Sequence, residues 1–244
     1  MKILTAAERL VVAADCDNPL ALARKLSDTN IVFKENVGLR EAGYDTRISR
    51  IQIEGLYYFA DLKLNDIENT MRRDGKKLKA CKPEILTVMC NAPMKALKGI
   101  KEELPETEIL GVTVLTDIDE DECMEMYGRN IEDQVSYFSE KAVKAGLDGI
   151  VCAPHENEIV RKVAGNMLTI NNPNVRPAFL SVKKDDQNKK RSRGIKEAFE
   201  LGATRVIIGR PILEAEDLIM AVRLIIQEIS EIRFEAIADR VLHP

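Results

Sequence analysis

The chain has 244 residues, of which 45% are hydrophobic and 31% are charged, and its formal net charge is -4. This length fits one α/β barrel or two small domains, and the composition provides for a sizeable core and a soluble surface. The acidic balance argues against a general nucleic-acid-binding protein, which is usually basic, but it leaves room for a local basic pocket that holds a phosphorylated ligand.

The cysteines and the hydrophobic segments indicate a cellular compartment. The cysteine count of 5 is odd and no CxxC motif occurs, which is not typical of a disulfide-stabilised fold. The N-terminal segment reaches Glu8 without an apolar run, and no stretch approaches the roughly 18 apolar residues of a membrane-spanning helix. We therefore expect a soluble, cytoplasmic protein that has neither a membrane nor a nucleic acid as a partner.

Short apolar segments alternate with longer amphipathic segments along the whole chain. Several of the short segments are nearly continuous in Val, Ile and Leu, as expected for parallel strands that are buried on both faces. The predicted strands are Leu10–Ala14, Ile31–Phe33, Tyr57–Ala60, Ile85–Met89, Ile109–Leu115, Gly149–Cys152, Ala178–Leu180 and Val206–Ile208.

The amphipathic segments between these strands have start and stop signals of helices. Asn18 and Pro19 are typical of a first turn, while Gly146 and Gly202 follow two of the segments as C-caps. The clearest predicted helices cover residues 18–27, 133–145, 193–201, 212–229 and 231–241.

The alternation of strands and helices predicts a parallel sheet. The number of strands and the length favour a closed (β/α)8 TIM barrel over an open, doubly wound sheet. The chain has no internal repeat, low-complexity tract or convincing linker. We therefore expect a single domain over residues 1–244, in which residues 212–244 form C-terminal helices.

Ionisable side chains follow many of the predicted strands, and the C-terminal ends of barrel strands are where catalytic residues collect. Asp61 and Lys63 are two residues apart on an extended segment, so both side chains point to the same side. Inside a barrel these charges would be tolerated only as a pair. The pair is either a structural ion pair or part of a reactive site. The other polar residues at strand ends are Asp15, Lys34, Asp66, Thr116, Asp117 and Arg210.

Seven segments in order resemble the orotidine 5′-phosphate decarboxylase family, from about Val11 to Ile212. The D-x-K-x-x-D motif alone is shared with sister enzymes of the ribulose-phosphate-binding barrel superfamily, whereas the ordered set is specific. The family motifs are V-A-L-D at residues 12–15, D-x-K-x-x-D-I-P-N-T at 61–70, V-T-V-L-T at 112–116, G-x-x-G-x-V-C at 146–152, P-G-I-R-P at 173–177, D-Q at 186–187 and V-G-R-P-I at 208–212.

The resemblance implies a metal-independent and cofactor-independent decarboxylation of orotidine 5′-phosphate to UMP, in de novo pyrimidine biosynthesis. Lys63 would donate a proton to the carbon that loses CO2, and Asp61 would face the substrate carboxylate. Lys34 would complete the network of alternating charges, and Lys34 and Asp15 would hold the ribose. Asp66 would be a further catalytic residue.

Other matched positions are implied to bind the substrate or to complete a dimer. Asp66, Ile67 and Thr70 would reach into the site of the partner subunit, which implies a homodimer with shared sites. Gln187, Gly209 and Arg210 would hold the phosphate, and the polar loop 181–194 would close over it as a lid. Thr116, Arg176 and Pro177 are also predicted to contact the substrate.

The sequence departs from the family at several positions, and two alternatives stay open, one because the D-x-K-x-x-D motif is shared and the other because of these departures. Asn36 replaces the glycine of the K-x-G that follows the family's second strand, Asp117 stands where a serine is usual, Glu68 replaces Pro, and Asn174 replaces Gly. The first alternative is a metal-dependent sugar-phosphate lyase of the same superfamily, such as a hexulose-phosphate synthase or a ketogulonate-phosphate decarboxylase. The second is a paralogue that binds a nucleotide without turnover.

Overall fold

The computed structural model describes residues 3–36, 44–180 and 192–234. Eight parallel strands close into a barrel, with each strand hydrogen-bonded to its sequence neighbours and β8 paired with β1. The strands are β1 Leu10–Ala13, β2 Val32–Glu35, β3 Tyr57–Leu64, β4 Ile85–Met89, β5 Glu108–Val112, β6 Gly149–Val151, β7 Thr169–Asn172 and β8 Arg205–Ile208. The predicted (β/α)8 fold is confirmed.

Helices lie between the strands and cover the outside of the barrel. The described helices are α1 Pro19–Leu26, α2 Tyr44–Ile53, α3 Glu68–Leu78, α4 Met94–Glu103, α5 Glu120–Tyr127, α6 Ile131–Ala145, α7 Asn157–Ala164, α8 Ile195–Glu200, α9 Arg210–Leu213 and α10 Leu218–Ser230. Their ends follow local chemistry. The Asn18 side chain accepts a hydrogen bond from the Ala21 backbone at the start of α1, and Gly146 ends α6 with a φ of 74°.

Two separate apolar clusters hold the barrel together. A small one fills the inside and consists of Val11, Ala13, Val32, Phe59, Ile85, Leu110 and Ile207. A larger one lies between the outer faces of the strands and the helices. Because each strand is covered on both sides, its sequence is nearly continuously apolar, and this is the pattern from which the parallel sheet was predicted.

The prediction for the seventh strand was wrong. It placed the strand at Ala178–Leu180, but β7 is Thr169–Asn172 and residues 178–179 form a turn. Asn171 and Asn172 are fully buried, and their side-chain amides donate to the backbone carbonyls of Ile150 (3.3 Å) and Cys152 (2.9 Å). Hydrogen bonds to the neighbouring strand therefore satisfy polar side chains that a search for apolar segments passes over.

The C-terminal part of the chain also differs from its prediction. The helix predicted over 212–229 is divided into α9 and α10, with residues 214–217 between them. The Asp217 side chain accepts a hydrogen bond from the Met220 backbone and so begins the second helix. Most of the predicted final helix, residues 231–241, lies outside the described residues. No helix within the described part of the chain is long and apolar enough to cross a membrane.

Candidate active site

A cavity of about 250 Å³ opens at the C-terminal ends of the strands. Four cationic side chains line it, namely Lys34, Lys63, Arg176 and Arg210, together with the carboxylates of Asp15 and Asp61. The cavity is therefore cationic, although the chain as a whole is acidic. This distribution suits an anionic ligand.

Three charged side chains meet on one side of this cavity. Asp61 Oδ2 accepts hydrogen bonds from Lys34 Nζ and from Lys63 Nζ, each over 2.8 Å. Lys34 lies within β2 rather than after it, and it is buried together with Asp61, whereas the Lys63 side chain is 31% exposed. We call Lys34, Asp61 and Lys63 the charge cluster.

Thr87 of β4 contacts two members of the charge cluster, and it was not predicted from the sequence. Its hydroxyl donates to Asp61 Oδ1 (2.9 Å) and accepts a hydrogen bond from the Lys63 backbone N–H (2.9 Å). One hydroxyl thus fixes the carboxylate and the backbone of the neighbouring lysine. The only signal in the sequence is a threonine in an otherwise apolar strand, and threonine is common in strands for its shape alone.

The backbone of β3 is irregular where it carries Lys63. Lys63 has a φ of 48°, in the left-handed region that residues other than glycine rarely occupy. The pairing of β3 with β4 also shifts between Ala60 and Leu64. The two charged side chains do meet, as the sequence predicted, but the segment between them is not a regular extended strand.

The electrostatics of the charge cluster keep its carboxylate ionised. Burial alone would raise the pKa of Asp61, but the attraction and hydrogen bonds of Lys34 and Lys63 outweigh it and hold that pKa well below its usual range. Burial would likewise lower the pKa of Lys34, but Asp61 and Asp15 raise it above its usual value. Lys34 and Asp61 therefore both carry charge at neutral pH.

The opposite side of the cavity is formed by the ends of β7 and β8. Gly209 precedes the short helix α9 and, with Arg210, lines the cavity. A Cβ atom on Gly209 would lie 3.3 Å from the Ala13 side chain, so the ends of β8 and β1 are close together. Arg176 faces the same cavity from the segment after β7. Two guanidinium groups on this side suit an oxyanion such as a phosphate.

Comparison with known proteins assigns this barrel to a family. The model of the orotidine 5′-phosphate decarboxylase / HUMPS family matches residues 8–225. The chain belongs to this family. The orotidine 5′-phosphate decarboxylase of Methylobacterium sp. (strain 4-46) is 34% identical over 235 residues, which cover 93% of this chain and 98% of that protein. Its namesake from Rhodopseudomonas palustris (strain BisB5) is 32% identical over 229 residues, covering 92% and 95%.

Solved structures agree with this assignment. The crystal structure of orotidine 5′-phosphate decarboxylase from Lactobacillus acidophilus matches with a TM-score of 0.76 at 25% identity, and the match covers 92% of this chain and 100% of that one. The resemblance that the seven motifs indicated is thereby confirmed at the level of the family.

The structure brings together many of the residues that the family motifs singled out, but not all of them. Asp15, Lys34, Asp61, Lys63, Thr116, Arg176, Gly209 and Arg210 line one cavity. Pro177 is buried beside Arg176 but does not line it, and Asp117 is exposed outside it. Gln187 and most of the predicted lid lie outside the described residues.

The Asp66–Thr70 stretch of the family motif lies away from the cavity of its own chain. Asp66 is exposed, Ile67 is 64% exposed, and Thr70 is half-buried in the first turn of α3. None of the three lines the cavity.

Besides Thr87, which contacts the charge cluster from β4, several residues that line the cavity were not predicted as site residues. Val114, Leu115 and Leu213 give the wall an apolar part, while Cys152 and Asn174 add small polar groups. Asn174 has a φ of 61°, which explains why the family motif has glycine there and why asparagine is an acceptable replacement. Within the described residues, no group of three or more His, Cys, Asp and Glu side chains is placed to hold a metal ion.

Proposed function

We propose that the protein is a cytoplasmic lyase that decarboxylates orotidine 5′-phosphate to UMP in de novo pyrimidine biosynthesis, without a metal or cofactor. The observation that carries this proposal is the charge cluster, in which one buried carboxylate holds two ammonium groups at the edge of a cationic cavity. Relatives that are about a third identical to the chain have this activity in their names.

In this proposal Lys63 stabilises and then protonates the reacting carbon. The bond between the ring carbon and the carboxyl carbon breaks, CO2 leaves, and the electron pair stays on the ring. A fixed ammonium group aimed at that carbon stabilises charge only as it develops, so it raises kcat rather than ground-state affinity. Lys63 then gives its proton to the carbon and recovers one from water. Its partial exposure supports this exchange with solvent.

Asp61 would orient Lys63 and face the carboxylate of the substrate. Its own two oxygens are held by Lys34, Lys63 and Thr87, so the carboxylate cannot turn away from an approaching anion. The substrate carboxylate leaves as neutral CO2, and its unfavourable interaction with Asp61 disappears as the reaction proceeds. Asp61 thus favours the transition state over the bound substrate.

The phosphate and the ribose would be bound away from the reacting carbon. Arg210, Gly209 and Arg176 are suited to the phosphate, with Gln187 as a further contact, and Asp15 and Lys34 to the ribose hydroxyls. Thr116 is the candidate for contact with the base from the β5 side, and Pro177 supports Arg176. Binding energy from these non-reacting groups can orient the ring against the charge cluster.

The exposed stretch Asp66–Thr70 supports the proposal of a homodimer with shared sites. Its side chains lie outside the cavity of their own chain, and Ile67 is one of the most exposed large apolar residues. In a dimer these side chains would enter the cavity of the partner subunit. Asp66 would then add a second carboxylate beside Lys63.

The family description also includes the HUMPS branch, so a metal-dependent sugar-phosphate lyase is the alternative to test. Purified protein is assayed with orotidine 5′-phosphate, with and without EDTA, for release of CO2 and formation of UMP. Turnover that EDTA leaves unchanged supports the proposal. Turnover of a hexulose phosphate that EDTA abolishes would contradict it, as would tight UMP binding without any decarboxylation.

A further inference from the structure

A second buried carboxylate lies beside the charge cluster, on the opposite face of β2. Glu35 follows Lys34 at the end of this strand, and only 1% of its surface is exposed. Successive side chains of a strand alternate between its faces, so Lys34 points into the cavity and Glu35 points toward the helices. There the Tyr58 hydroxyl donates to Glu35 Oε2 (3.0 Å), and Arg47 Nε of α2 lies 3.3 Å from Oε1.

The burial of Glu35 is unfavourable by itself. Burial raises its pKa, and nearby Asp15 adds to this effect, while Arg47 and the Tyr58 hydroxyl oppose it. The contact with Arg47 is an ion pair without the geometry of a hydrogen bond. Buried pairs of this kind contribute little net stability compared with apolar residues of the same size. What the pair does supply is a defined position for the end of β2.

The end of β2 determines where two other residues of the site lie. Lys34 Nζ reaches Asp61 over 2.8 Å from this strand end. The Lys34 carbonyl also accepts a hydrogen bond from the Ala14 backbone N–H (2.8 Å), one residue before Asp15. A shift of β2 would therefore displace the buried lysine of the charge cluster together with the carboxylate on β1.

We propose that Glu35 is a positioning residue of this site. Through Arg47 and Tyr58 it fixes the outer face of β2, so that Lys34 on the inner face meets Asp61 and the end of β1 keeps Asp15 at the cavity. This inference rests on the proposed function for its kinetic consequences, but not for its structural ones. Glu35 takes no part in the reaction itself and acts through Lys34.

A matched control exists at the other end of the barrel. Glu108 of β5 is also largely buried and pairs with one arginine, Arg205 of β8. Glu35→Gln and Glu108→Gln each remove one carboxylate charge and leave an arginine without its anionic partner. Both variants should lose stability, but only one of them should affect the charge cluster.

The first measurement is steady-state decarboxylation by the two variants at a temperature where both are fully folded. We expect Glu35→Gln to lower kcat by roughly 10- to 100-fold, because small displacements of catalytic groups have effects of this size. We expect Glu108→Gln to stay within about twofold of the wild type. Tyr58→Phe, which removes only one hydroxyl, provides a milder variant if Glu35→Gln does not fold. Equal kcat values in both glutamine variants would overturn the proposal.

The second measurement asks whether Glu35 acts through Lys34. In a double-mutant cycle, Glu35→Gln is made in the wild type and in a Lys34→Ala background. We expect its effect on kcat to fall below about threefold when Lys34 is absent, because two residues that act as a unit are not additive. A merely structural role predicts the same fold-change in both backgrounds, and that result would contradict the inference.

The third measurement does not depend on the reaction. Lysine acylation by a small activated ester is followed by peptide mass mapping of the intact fold. Lys34 should react at least about fivefold faster in Glu35→Gln than in the wild type or in Glu108→Gln, because loosening of β2 opens it to solvent. If the wild type fails to decarboxylate its proposed substrate, this readout still decides the positioning role. Unchanged protection of Lys34 in Glu35→Gln would exclude that role.

Discussion

Each end of the barrel contains a carboxylate paired with basic side chains, partly buried Glu108 at one end and buried Asp61 at the other, but the ratio of opposite charges differs between them. At the N-terminal end Glu108 forms two parallel hydrogen bonds with Arg205, over 2.9 and 2.8 Å. The Thr169 hydroxyl donates to the same carboxylate (2.7 Å), and Asn171 accepts from Arg205 (3.1 Å). At the C-terminal end Asp61 has two ammonium partners instead of one cation.

This difference in charge distinguishes a structural ion pair from the candidate active site. The pair Glu108 and Arg205 is neutral as a unit, and both terminal guanidinium nitrogens and both carboxylate oxygens have hydrogen-bond partners. The charge cluster has a net positive charge beside a cavity, so its electrostatic balance improves when an anion binds. Both ends contain a carboxylate, a threonine and basic side chains. They differ in the number of positive charges that each carboxylate has as partners, which is one for Glu108 and two for Asp61.

The largest expected effect comes from Lys63→Ala. Loss of both the stabilising ammonium and the proton donor should lower kcat by at least about 10⁴-fold. The fold should remain intact, because Lys63 is partly exposed and Asp61 keeps Lys34 as a partner. Circular dichroism and a thermal melt check the fold, and single-turnover UMP formation checks the activity. Near-normal turnover in this variant would overturn the proposed mechanism.

Asp61→Asn tests the stability side of the comparison. Removing one partner of a buried ion pair should lower the free energy of unfolding at pH 7 by about 3–5 kcal/mol. Because the folded-state pKa of Asp61 lies below its unfolded value, the carboxylate stabilises the fold above the unfolded pKa, and this contribution is lost as the pH falls. The gap between wild type and variant should therefore be constant above about pH 5 and shrink below about pH 4.

Urea titrations of both proteins between pH 3 and pH 7 measure this gap. If the difference in free energy of unfolding grows as the pH falls, folding raises the pKa of Asp61 instead of lowering it.

Arg210→Ala tests whether the excess of positive charge at the C-terminal end binds the phosphate of the ligand. UMP should bind roughly 10- to 100-fold more weakly to this variant, because a charge-assisted contact to the phosphate is lost. Isothermal titration calorimetry gives the affinities, and uridine serves as the ligand without a phosphate. Uridine affinity should be the same in both proteins. A loss of uridine binding as large as the loss of UMP binding would assign Arg210 to another part of the ligand.

The smallest expected effect compares two threonine hydroxyls, buried Thr87 at the C-terminal end and partly buried Thr169 at the N-terminal end. Thr87→Val and Thr169→Val each remove a hydrogen bond to a carboxylate and keep the shape of the side chain. Each should lower the free energy of unfolding by about 1–3 kcal/mol, since a buried acceptor loses its donor. Only Thr87→Val should also lower kcat, by roughly 10-fold, because it releases Asp61 and the Lys63 backbone. Equal kcat values would remove Thr87 from the site.

The parts of the fold that were predicted correctly are those in which the local sequence determines the structure. Strands buried on both faces are apolar, and the Asn18 and Gly146 caps mark helix ends by backbone chemistry. The seventh strand was missed because Asn171 and Asn172 are buried with hydrogen-bonding partners that only the folded barrel supplies. Local pattern cannot show such partners, since Ile150 and Cys152 are about 20 residues away in sequence.

The candidate site was predictable to the extent that its charges are unusual for a barrel interior. Asp61 and Lys63 stood out because ions are rare there, and Lys34 and Arg210 stood out by their positions at predicted strand ends. Thr87 and Cys152 did not stand out, because both residue types occur in ordinary strands and cores. The left-handed backbone of Lys63 was also not predicted, since the residue at that position is neither glycine nor asparagine.

That backbone conformation has a consequence for any attempt to make the protein more robust. A residue with a side chain at a φ of 48° is strained by roughly 1 kcal/mol, which glycine would relieve. At this position the backbone conformation is therefore less favourable for lysine than for glycine. A screen that rewards heat resistance alone would drift toward Lys63→Gly and accumulate sturdy, inactive barrels.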